Sequence, residues 1–172
     1  LDYAAQKAGP NSPAAKTALK ELDAELGKLF EGFEKGYREQ PLWLVASEYT
    51  IVPVDSVIYP NRVLRDAKLL SVIESDEGES LDLTESRAFA MADHQHSHVY
   101  VQDSDPKLIK KVANLFKKQP GVAEVLTGPT LAKYGLDHPR SGDVVVVSEP
   151  KSWQAYYWWQ DDARAPKFAR TV

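Results

Sequence analysis

LWLVASEYTIVPVD, residues 42–55, opens with an unbroken apolar run, Leu42 to Ala46, that stops abruptly at Ser47-Glu48-Tyr49. Pro41 bounds it in front and polar groups follow it, so it reads as a strand buried on both faces, and such strands belong mainly to parallel α/β sheets. Open α/β sheets carry their ligands at the carboxyl ends of the strands, which would put Glu48 where chemistry is done. The plainer reading is that Ser-Glu-Tyr simply ends a strand and begins a loop.

Upstream of this run, Asn11-Ser12-Pro13 supplies a helix start, with Ser12 as the N-cap and Pro13 at the first helical position. Ala15, Leu19, Leu22, Leu26, Leu29, Phe30, Phe33 and Tyr37 then recur in steps of three and four, which predicts an amphipathic helix to about Tyr37 with one buried face. A helix followed by a buried strand is half of a parallel βαβ unit. Its first strand would lie before Leu1. The chain also begins Leu-Asp-Tyr with no methionine, a second sign that its amino terminus is missing.

Downstream, the pattern is that of a smaller mixed unit. Tyr59-Pro60-Asn61 opens a short helix over 62–68, a strand covers 69–74, and an acidic turn spans 75–80. Strands are predicted over 87–93 and 98–102, a helix from Asp105-Pro106 to Lys118, and further strands over 122–126 and 143–147. Trp153 to Trp159 is an aromatic cluster that needs a surface to cover. The expected division is a core sheet domain over 1–58, a smaller α/β subdomain over 59–142, and a return to the core with an aromatic tail over 143–172.

The 172 residues are 43% hydrophobic and 27% charged, an ordinary globular composition. A net charge of -4 offers no basic field for a phosphate backbone, which argues against nucleic acid as a partner. No apolar run approaches the roughly 20 residues of a membrane span. Without cysteine, any metal must be held by His, Asp, Glu or hydroxyl oxygens. The compartment stays open, with the cytoplasm favoured.

Two constellations could carry chemistry. Asp2 and Gln6, four residues apart, combine with Glu48 and Tyr49 to present oxygen ligands from two loops. His94-Gln95-His96-Ser97-His98 alternates three imidazoles that would project to one face of a strand, a spacing compatible with zinc or, equally, with a surface strand edge. Asp2 and Glu48 are expected to approach each other across a partly exposed cleft lined by Gln6 and Tyr49. His94 and His98 are expected to face one way, near the site's edge.

The segments LDYAAQKAGP, LWLVASEYTI, SRAFAMADHQHSHVYV, GVAEVLTG, YGLDHPRSGDVVVVSEP and SWQAYYWWQDDARAPKFARTV resemble the carboxyl-terminal half of type I phosphodiesterase/nucleotide pyrophosphatase proteins of the alkaline phosphatase superfamily. The resemblance implies an α/β fold, an alkaline-phosphatase-like mixed sheet flanked by helices, here partial and with a small α/β appendage. It implies a metal-dependent hydrolase of phosphodiester or pyrophosphate bonds, with two metal ions, usually zinc, and a small phosphorylated substrate such as a nucleotide. The family pattern Asp-x-x-x-His-x-x-Gly-Pro falls on Asp2, Gln6, Gly9 and Pro10, and Ser-Asp-His-Gly on Ser47, Glu48, Tyr49 and Thr50. Asp2 and Glu48 are thereby the implied metal ligands, whereas Gln6 and Tyr49 replace imidazoles by poorer ligands. The nucleophile would lie upstream of Leu1 and the last histidine ligand beyond Val172, so the chain alone should not turn over substrate. Two other activities fit the same scaffold: non-catalytic binding of a phosphate compound, or phosphonate hydrolase or phosphomutase chemistry with His94 and His98 shaping the pocket.

Overall fold

The computed structural model describes residues 1–39 and 41–169; the last three residues of the tail quoted above lie outside them. The architecture is mixed α/β, in line with a partial alkaline-phosphatase-like fold. It divides into two compact units, Leu1–Pro53 and a second that begins at Val54. The second unit holds the strand expected to return to the first, so the three-part division does not describe it.

The first unit is helical. A short helix α1 (Asp2–Ala8) packs on α2 (Pro13–Gly36), and the small side chains Ala5 and Ala15 are the buried ones. Ser12 caps α2 as expected, its hydroxyl accepting from the Ala15 N–H at 3.1 Å, with Pro13 at the first helical position. The predicted buried face is largely uncovered: Leu19, Leu22, Leu29 and Phe33 are exposed.

The run at 42–46 is not a central strand. Leu42 is 97% and Leu44 90% exposed, and residues 41–50 form no strand. A strand needs a neighbour for its backbone N–H and C=O groups, and among the described residues no strand pairs with this run. Its one anchored side chain is Trp43, which turns inward against Phe30 at 4.2 Å and Phe33 at 5.6 Å between ring centroids.

The second unit is built on a four-stranded antiparallel sheet of order β4 (Ala88–Asp93), β5 (His96–Val101), β7 (Val144–Ser148), β6 (Val122–Thr127). Helix α4 (Pro106–Phe116) connects β5 to β6, and β7 slots between these two strands, antiparallel to both. This split β-α-β arrangement contains the strand-helix-strand motif read from the sequence. Asp105 caps α4 by accepting from the Lys107 N–H, and the helix lays Leu108, Val112, Ala113 and Phe116 against one sheet face. That face supplies Ala88, Ala90, Val99, Val101, Val144 and Val146, with Leu64 from α3 (Pro60–Asp66) closing the core. On the other face, Leu126 and Val145 are covered by Leu131 and Leu136 from the 3₁₀ stretch Gly128–Tyr134 and its exit.

Two smaller pairings complete the unit. β1 (Ser56–Ile58) runs parallel to β8 (Ser152–Gln154), and β2 (Ser71–Ser75) forms a hairpin with β3 (Gly78–Asp82). The aromatic tail does cover a surface: Trp159 is fully buried and stacks on Tyr157 at 4.3 Å. It is tied to the hairpin where the Trp158 indole N–H donates to the Glu79 carbonyl at 2.9 Å, while the buried Glu79 carboxylate pairs with Arg65 through both oxygens. Gly78, at φ 93, is required there because a Cβ would collide with the backbone of Ala165.

Candidate functional site

Asp2 lies in the first turn of α1, and the four-residue spacing places Gln6 on the same helix face, one turn on. Gln6 donates its amide N–H to Asp2 Oδ2 at 2.9 Å. The second Asp2 oxygen, Oδ1, accepts from the Tyr49 phenol, also at 2.9 Å, across 47 residues of sequence. The helix and the 42–55 segment are thus joined at one carboxylate. Local turn chemistry prepares the far side: the Ser47 hydroxyl donates to the Tyr49 carbonyl at 2.8 Å and folds the chain back over two residues. From the sequence, Ser47 was only the end of the apolar run and the first position of the family pattern; its part in shaping the turn before Tyr49 was not read.

The cluster sits on an exposed surface, not in a partly buried cleft, and Tyr49 is 55% exposed. Its hydrogen bond to Asp2 and the charge of that carboxylate push the Tyr49 phenol above its ordinary range, with smaller additions from burial and from the charge of Glu48. Tyr49 therefore stays a protonated donor. Glu48 is exposed as well and needs no buried partner, because the strand that would have buried it is absent.

The donor set can be tested against the zinc expectation. Both Asp2 oxygens already accept from neutral donors, Gln6 turns its amide nitrogen toward the carboxylate, and Tyr49 holds its proton. Amide nitrogen and phenol are poor substitutes for imidazole on zinc. Among the described residues, no group of three or more His, Asp or Glu side chains comes together to hold an ion. These residues do not by themselves fit a zinc centre.

The histidine row is only half as expected. His96 and His98 share one face of β5, ring centroids 5.6 Å apart. His94 is not in the strand: Asp93 pairs with His96, so His94 and Gln95 form the tight turn between β4 and β5, with His94 at φ 55. Its ring meets Trp153 edge-on at 4.9 Å and stands 3.4 Å from Asp93. The two-residue turn ends the alternation, so His94 and His98 do not form one row. His98 is otherwise engaged, its Nδ1 accepting from the Gly142 N–H at 3.0 Å.

Among curated proteins, none matches the chain. Compared with known families, it matches type I phosphodiesterase / nucleotide pyrophosphatase over residues 1–171, a span that takes in both the Asp2 cluster and the whole second unit. The chain therefore belongs to the type I phosphodiesterase / nucleotide pyrophosphatase family.

Proposed function

We propose that this protein hydrolyses a phosphodiester or pyrophosphate bond in a small phosphorylated compound, a nucleotide being the leading candidate, and that the Asp2, Gln6, Glu48 and Tyr49 cluster belongs to its substrate site. Support comes first from one observation: the two segments on which the family pattern falls, 47 residues apart, meet at the Asp2 carboxylate through Gln6 and Tyr49. Members of the family act on small phosphorylated substrates and generally depend on a metal. In this reading the protonated Tyr49 phenol and the Gln6 amide are hydrogen-bond donors that turn from Asp2 to the phosphoryl oxygens of the substrate, and donors to an ionised acceptor make the stronger bonds. Asp2 and Glu48 orient those donors and keep the phenol protonated. Water is the co-substrate, and its oxygen ends on phosphorus. No residue of this chain is assigned the nucleophile's role.

A second reading, a non-catalytic protein that binds a phosphate compound, is favoured by the same pair of neutral donors at Asp2. One experiment separates the two. The intact protein is incubated with a nucleoside triphosphate and with bis(p-nitrophenyl) phosphate, with and without added divalent metal, and products are resolved by chromatography. Release of nucleoside monophosphate or p-nitrophenol, slowed at least about tenfold by Glu48→Gln, roughly 1.4 kcal/mol, is the expected result. Saturable binding with no product under any metal condition would establish the second reading instead.

A further inference from the structure

The 3.0 Å hydrogen bond from the Gly142 N–H to His98 Nδ1 fixes the chemistry of that imidazole. An Nδ1 that accepts cannot carry a proton, so His98 is neutral with its hydrogen on Nε2. The contact is close by construction: a Cβ on Gly142 would stand 2.7 Å from the nitrogen and 2.8 Å from the oxygen of Val99, so the loop backbone lies flat on β5. Two further ties hold the same loop to the same strand. The Tyr100 phenol donates to the Arg140 carbonyl at 3.0 Å, and Asp143 Oδ2 accepts from the Val101 N–H at 2.8 Å. Of the three, only the His98 bond disappears when its acceptor gains a proton near neutral pH.

From this geometry we infer that the His98–Gly142 contact is an acid-sensitive latch: protonation of His98 places a hydrogen on each side of the bond and frees the Gly142 amide from β5, while the Tyr100–Arg140 and Val101–Asp143 bonds keep the flanking backbone in place. The surrounding groups set where this happens. Burial and the neighbouring His96 on the same strand hold the His98 imidazole below its ordinary value, and Asp93 on β4 opposes them. In the pairing register, β7 presents the apolar Val145 opposite His98 and β4 presents Met91. The loop itself carries Asp137, His138 and Arg140, and β6 carries Glu124, which is paired with Lys133. Because the folded value is lowered, the neutral latch is fully closed above the ordinary histidine value of about 6.5 and opens as pH falls through the folded value below it.

The test is a pH titration of the isotope-labelled protein by NMR, reading the His98 ring nitrogens and the hydrogen exchange of the Gly142 amide, corrected for its intrinsic pH dependence. At neutral pH the expected signature is a bare Nδ1 and a protonated Nε2. On acidification, Gly142 exchange rises at least about tenfold with the His98 midpoint, while Val99 stays protected. His98→Gln keeps a carbonyl acceptor but cannot titrate, so its Gly142 exchange should be flat over the same range. A proton on His98 Nδ1 at neutral pH, Gly142 protection that survives full protonation of His98, or an unchanged pH response in His98→Gln would each overturn the latch. If His98→Gln does not fold, the wild-type tautomer and midpoint decide alone.

Discussion

At the scale of single residues, the Asp2 carboxylate is the junction on which the functional reading depends. Tyr49 and Gln6 each supply one hydrogen bond to it. Since the folded Tyr49 phenol is shifted upward, its contribution is fully present below the ordinary tyrosine value of about 10 and is lost as pH rises through the higher folded value. Ultraviolet difference titration should therefore find two tyrosines that ionise later than ordinary ones, Tyr49 and the Tyr157 phenol that burial pushes up, and Asp2→Asn should return only the Tyr49 one to the ordinary range. An unshifted spectrum in the wild type would remove the bond from the account. The four-residue spacing of Asp2 and Gln6 was visible, but the segment was read as a loop, and the short helix that turns this spacing into a hydrogen bond was missed because seven residues ending before Gly9 carry little helical signal. The Tyr49–Asp2 bond was not legible, since no local pattern ties residues 47 apart; the sequence grouped the two residues without fixing a bond between them. Asn61 shows the structural counterpart: buried, it donates to the Ala90 carbonyl at 2.9 Å and accepts from the Ala90 N–H at 2.8 Å. Asn61→Leu leaves both backbone groups unpaired, and chemical denaturation should show a loss of about 1–3 kcal/mol.

Among the elements, legibility followed whether burial was local. Helix α4 and the strands around it were readable because their apolar periodicity is satisfied within a few dozen residues, by α4 lying on β5, β6 and β7. Phe116, with no exposed surface, should cost about 3–5 kcal/mol when changed to Ala. The 42–46 run misled for the opposite reason. Its composition is that of a doubly buried strand, yet a strand is defined by neighbours, and composition does not report them. Leu44→Asp, ruinous in a central strand, should here change stability by less than about 0.5 kcal/mol, as for other exposed positions. Calorimetry of that variant distinguishes the two readings directly. The histidine alternation failed at a turn: a period of two holds only while the chain stays extended, and the reversal at His94-Gln95 broke it.

Over the whole molecule, two units carry different parts of the account: the first holds the Asp2 cluster, and the second holds the sheet, the latch and the aromatic tail. The mixed α/β class and the family were both legible in the sequence, the family mainly through motifs spread along the entire chain. Metal ligation was not, because ligand identity changes with a single residue while the surrounding pattern persists, as Gln6 and Tyr49 illustrate. The claim that joins fold to function is that the Asp2 cluster serves hydrolysis of a phosphodiester or pyrophosphate bond. The most direct measurement is kcat/KM of the intact protein for nucleoside triphosphate cleavage, wild type against Asp2→Asn, with circular dichroism confirming that both are folded. The account predicts a fall of at least about tenfold, roughly 1.4 kcal/mol of transition-state stabilisation, in a variant that melts like the wild type. An equally active, equally stable Asp2→Asn protein would contradict it.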